Sequence, residues 1–72
     1  MPKMFSSKEI EKVLQKLNFL FQSQKGSHAR YKNNNGLTVI LPMNKKEIPD
    51  GTYRSILKQM SISKEQFEHI LK

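Results

Sequence analysis

His28, Arg30 and Lys32 stand two residues apart in the stretch "KGSHARYKNNNG", which runs from Lys25 to Gly36. Alternate side chains of an extended chain leave the same face, so an imidazole, a guanidinium and an ammonium share one side. That set suits an RNA phosphodiester. Cleavage through the 2′-hydroxyl needs a base for its proton, positive charge on the crowded phosphorane, and an acid for the leaving oxygen. An imidazole, with an ordinary pKa near ~6.5, serves as either base or acid at neutral pH. Two cations on the same side can hold the phosphate. His28 is therefore the candidate catalytic residue, with Arg30 and Lys32 as candidate RNA contacts and no acid yet assigned.

Further polar groups extend this set. Lys25 and Ser27 precede His28 across Gly26. Lys45 and Lys46 fall in a loop, Arg54 in the first turn of a helix, and Lys58 one turn further on. All are candidate RNA-binding residues, and each of these lysines and the arginine is equally compatible with a solvated charge. His69, between Glu68 and Ile70, reads as a solvent-facing residue of the last helix. No metal or cofactor is expected. The chain has no cysteine, its only aspartate is Asp50, and its glutamates are scattered rather than convergent; divalent metal sites need clustered oxygen ligands. A Gly-rich phosphate loop and a Ser/His/Asp arrangement are both absent from the sequence.

Charge points the same way. The 72 residues carry 13 Lys and Arg against 6 Asp and Glu, a net charge of +7. Such an excess favours polyanionic partners through Coulomb attraction and counterion release. No apolar run approaches the ~20 residues of a membrane span, and the start "MPKMFSSKEIEKV" does not resemble a signal peptide. A soluble, cytoplasmic protein without a membrane partner is expected, folded as a single domain over residues 1–72.

The elements that must position these residues follow from periodicity. Ile10, Val13, Leu14 and Leu17 recur at helical spacing within residues 5–17. Ser6 with Glu9 forms a capping box, and Phe5 with Ile10 a hydrophobic staple. Residues 18–24 and 28–32 read as strands, the second with Ala29 and Tyr31 turned to the core. "NNNG" at 33–36 is a turn signal. Residues 37–41, "LTVIL", form a third strand that Pro42 ends. Tyr53, Ile56, Leu57 and Met60 make one face of a helix over 52–60, capped by Asp50 or Thr52. A short last helix starts with a second capping box, Ser63 and Gln66, and a second staple, Ile62 and Phe67. The fold class is α+β, in the order α-β-β-β-α plus a small extra helix. One face of the antiparallel sheet packs on the helices; the other, carrying His28, Arg30 and Lys32, stays open.

Three pieces carry a family resemblance: "GSHARY" at 26–31, "GLTVILP" at 36–42 and "KEIPDGTYRSILKQMSIS" at 46–63. In this order and spacing they resemble HicA-type (YcfA-like) toxins over residues 7–71. The resemblance implies a double-stranded-RNA-binding-like fold and an mRNA-cleaving endoribonuclease held inactive by a HicB antitoxin. It also implies that the histidine of Gly-Ser-His, here His28, is catalytic. Two departures stand out. Ala29 occupies a position where many members carry a second histidine or an aliphatic residue, and "NNNG" replaces the commoner Asp-Gly turn. The competing readings are a non-catalytic double-stranded RNA-binding module and a protein-interaction domain whose charge complements an acidic partner. The first usually has a Lys-rich start to its second helix, whereas this one reads "GTYRSILK".

Overall fold

The computed structural model describes residues 4–72; Met1, Pro2 and Lys3, within the expected 1–72 span, lie outside the described residues. The elements are α1 (Ser7–Lys16), β1 (Leu20–Lys25), β2 (His28–Lys32), β3 (Thr38–Pro42), α2 (Asp50–Met60) and α3 (Lys64–Leu71). The strands form one antiparallel sheet in the order β1-β2-β3. α1 packs on α3 and β3, and α2 packs on β3, which leaves the opposite sheet face uncovered. This is the double-stranded-RNA-binding-like α+β fold.

Local chemistry sets the element ends. In α1 the Ser6 hydroxyl accepts from the Glu9 N–H, and the Glu9 carboxylate accepts from the Ser6 N–H, as the capping box requires. The helix stops at Asn18, whose φ of 64° is left-handed. The Phe19 N–H then bonds the Leu14 carbonyl and the Asn18 N–H the Gln15 carbonyl, a Schellman closure. Residues 18 and 19 thus belong to the helix stop, and β1 begins two residues later than the aromatic run indicates. Ser63 and Gln66 form the second capping box, at α3.

α2 departs from expectation. It starts at Asp50 with Pro49 as its N-cap, and no side chain caps it. Asp50 is inside the helix, its carboxylate 2.9 Å from Arg54 Nε; Thr52 lies deeper still. Proline at the boundary presets the helical entry, so the hydroxyl and carboxylate were not needed there. Pro42 likewise falls inside β3, as its last residue, where the missing N–H removes no ladder bond.

The core is one cluster. Ala29 and Tyr31 from β2, Val39 and Leu41 from β3, and the apolar faces of the helices are all buried. Phe5, Tyr53 and Phe67 meet ring to ring, with centroids 5.0–5.3 Å apart, joining the entry to α1 with α2 and α3. Such ring pairs contribute roughly 0.5–1.5 kcal/mol beyond their buried area. Phe5, placed in the sequence as a staple partner of Ile10, thus packs its ring on the other two helices. Tyr31 adds a polar tie, its hydroxyl donating to Glu11 Oε2 on α1.

Tyr53 is buried, and its hydroxyl has no hydrogen-bond partner among the described residues. Burial, and then the charges of Glu68, Asp50 and Glu65, push this phenol up to about 12. The folded state therefore holds the proton more tightly than the unfolded chain, where a tyrosine ionises near ~10. Its contribution to stability is complete below pH ~10 and is lost as pH rises through about 12. Tyr31 is raised too, by burial and by its bond to Glu11, and adds to the same alkaline loss. Tyr53→Phe removes an unpaired buried hydroxyl. Urea unfolding of this variant should give equal or higher stability at pH 7 and a shallower decline above pH 10; a large loss at pH 7 would contradict the reading.

Candidate active site

The site is built from the alternation of β2. With Ala29 and Tyr31 buried, His28, Arg30 and Lys32 are exposed on the open face. Register places their neighbours. His28 lies between Lys25 of β1 and Pro42 of β3, Arg30 between Ser23 and Ile40, and Lys32 between Leu20 and Thr38. A bulge at Gln22 between Phe21 and Ser23 sets this register. It turns Lys25 and Ser23 to the open face while Phe21 packs its ring edge against Tyr31. Leu20 and Ile40 add exposed apolar area beside the cations.

Two turns define the ends of β2. At the first, Gly26 adopts φ 59°, a left-handed conformation natural to glycine. The Ser27 carbonyl then accepts from the Met43 N–H at 2.6 Å, which ties this turn to the exit of β3. At the second, Asn33 Oδ1 accepts from the Asn35 and Leu37 N–H groups, and Gly36 takes φ 83°.

The loop after β3 is tethered at two further points by the entry to α1. The Ser7 hydroxyl, 2% exposed, donates to the Pro42 carbonyl at 2.6 Å and accepts from the Lys45 N–H at 3.0 Å. The Ser7 N–H donates to the Lys45 carbonyl, and the Ile48 N–H to the Phe5 carbonyl. This stitching lays the loop along the end of the sheet that carries His28. A cleft of about 340 Å³ results, lined by Ser27, His28, Pro42, Lys45, Glu47, Ile48, Pro49 and Thr52.

The candidate residues thus separate into groups. Ser27, His28 and Lys45 line the cleft. Lys25, Arg30 and Lys32 share the open face beside it. Lys46 lines an adjoining groove with Lys45, Ser7 and Lys8. Arg54 and Lys58 lie on α2 and line neither; Arg54 is engaged with Asp50, an exposed i,i+4 pair that stabilises by only ~0.3–0.5 kcal/mol. His69 lies apart, in a shallow groove with Glu65, Gln66 and Ile70. Glu47 and Thr52 enter the site from the fold alone. Glu47 directly follows Lys46 in the sequence, but nothing in the local pattern sets it or Thr52 apart. Among the described residues no three His, Asp or Glu side chains converge on a point that could hold a metal ion. Among the described residues no helix is long and apolar enough to cross a membrane.

A small basic α+β domain of double-stranded-RNA-binding type, with an open cationic sheet face and one histidine at its end, is the class these features define. The family model described as the HicA toxin of bacterial toxin–antitoxin systems matches residues 7–62. The chain belongs to this family and is the toxin component of a toxin–antitoxin pair. The match runs from the first residue of α1 to just past α2 and stops short of α3, which nevertheless gives Phe67 to the core. No curated protein matches the chain.

Two substitutions test how the cleft is held. Ser7→Ala removes both bonds of a buried hydroxyl and should cost about 1–3 kcal/mol of stability, read as a lower urea midpoint. Gly26→Ala adds a Cβ that meets nothing within 4 Å, so its cost is backbone strain alone. That cost should be about 1–2 kcal/mol by the same measurement.

Proposed function

We propose that this toxin is a metal-independent endoribonuclease that cleaves mRNA with His28 as its proton-transfer residue, and that a HicB-type antitoxin holds it inactive. The observation that carries the reading is the placement of His28: exposed at the end of the central strand, in a cleft with Lys45, beside a row of cations. An RNA backbone laid along β2 meets His28, Arg30 and Lys32 in order. At ~3.3 Å per residue, Arg30 stands about 7 Å and Lys32 about 13 Å from His28 along the strand. Arg30 thus serves the reacting phosphate or the next one, and Lys32 a neighbouring one. Lys25, opposite His28, and Lys45, across the cleft, supply charge where the phosphorane forms. Ser27 offers a hydroxyl at the cleft wall. Lys46, Arg54 and Lys58 form an outer rim that steers RNA rather than gripping it.

An acidic antitoxin would find the same cationic face, and covering it would block the cleft by sterics and by charge. Such steering acts mainly on the association rate and weakens with salt. Charge reversal at Lys45, Lys46 and Arg54 should slow complex formation in stopped-flow at low salt; an unchanged rate would remove the electrostatic part of the reading.

The deciding experiment incubates purified toxin with end-labelled RNA, with and without EDTA, beside His28→Ala checked by circular dichroism. Cleavage should persist in EDTA and disappear in the variant. RNA bound but left intact by the native protein would favour the binding-module reading instead.

A further inference from the structure

We propose that Glu47 is the proton acceptor of the cleft and His28 its proton donor, so that RNA cleavage runs through a carboxylate–imidazole pair. The inference rests on the ribonuclease reading and supplies the second proton-transfer group that a single histidine lacks.

The inventory of side chains points to Glu47. Of the six acidic residues, it alone lines the cleft with His28. Glu9 is engaged in the α1 capping box, Glu11 accepts the Tyr31 hydroxyl, and Asp50 pairs with Arg54. Glu65 and Glu68 lie on α3. The tyrosines and the second histidine are elsewhere: both tyrosines are buried, and His69 lies on α3. Glu47 is exposed, while the next residue, Ile48, is buried and fixed by its N–H bond to the Phe5 carbonyl. With Lys45 held by Ser7 and Ile48 by Phe5, the short stretch between them has little freedom to carry Glu47 away. Lys45 in the same cleft provides a cation for the phosphorane oxygens.

The chemistry assigns the two roles. Carboxyl groups titrate in water near ~4.3 and imidazoles near ~6.5, so at neutral pH a carboxylate accepts a proton and an imidazolium gives one. The Glu47 carboxylate takes the 2′-hydroxyl proton as the 2′-oxygen bonds to phosphorus. The P–O5′ bond breaks, and the His28 imidazolium passes its proton to the departing 5′-oxygen. The products are a 2′,3′-cyclic phosphate and a 5′-hydroxyl. Glu47 returns its proton to water and His28 regains one, which restores the starting state.

The test uses an RNA whose cut site has been mapped, made with either oxygen or sulfur at the bridging 5′ position of that site. A thiolate leaves without a proton, so sulfur replaces the acid but not the base. Native toxin, Glu47→Gln and His28→Ala are compared on both substrates, with circular dichroism and thermal melting to establish folding. Glu47→Gln should lose 10²-fold or more, within the usual range for such catalysis, on both substrates. It should also lose the acid limb of the pH–rate profile. His28→Ala should fail on the oxygen substrate and recover on the sulfur one. The proposal is overturned if folded Glu47→Gln cleaves within twofold of the native rate, or if sulfur rescues Glu47→Gln and not His28→Ala; His28-dependent cleavage would then leave the ribonuclease reading standing. No cleavage by the native toxin would overturn both.

Discussion

The burial of Ala29 and Tyr31 on the central strand is the constraint from which the rest follows. Both are almost fully enclosed, and Tyr31 is additionally tied to α1 through Glu11. With a side-chain period of two, this leaves His28, Arg30 and Lys32 no choice but the opposite face. A slip of one residue would bury three cationic or titratable groups and expose the strand's share of the core. The same hydrophobic term that stabilises the sheet against the helices therefore also displays its cationic row. Fold and open cationic surface are two consequences of one alternation.

Polar order finishes what apolar packing begins. A 72-residue domain buries a modest core, and its loops are held by specific bonds rather than by mass of contact. Ser7 is the clearest case. One buried hydroxyl, with the N–H of the same residue, fixes the start of α1, the end of β3 and the loop beyond. That loop forms one wall of the cleft, His28 and Ser27 another, and the first turn of α2 the third. The α2 start lacks a side-chain cap, and its Asp50 turns along the helix to Arg54, which leaves Thr52 on the cleft side.

Charge in this molecule is distributed unevenly by role. Exposed lysines and arginines add little to stability, since solvent and salt screen them. In the proposed function their value lies in attracting a polyanion, and equally in attracting an acidic antitoxin to the same surface. Buried or half-buried polar groups such as Ser7, Tyr31 and Glu11 serve the architecture instead.

Sequence by itself determined the element order, the alternation of β2, both capping boxes and the exposed histidine, because each is a local pattern within a few residues. It also carried the family, through motifs whose order and spacing survive in one chain. It misjudged the start of β1, where Asn18 outweighs an aromatic run by closing the helix. It also misjudged the start of α2, where proline serves in place of a polar cap. Only the tertiary structure decided which groups meet. Glu47 and Thr52 lie about twenty residues from His28 in sequence and join it through bonds from Ser7, Phe5 and Ser27. Arg54 and Lys58, closer in sequence to the cleft wall, lie on α2 and do not line the cleft. Local patterns are written in neighbouring residues, but a cleft between a strand end, a loop and a helix exists only once the chain has closed on itself.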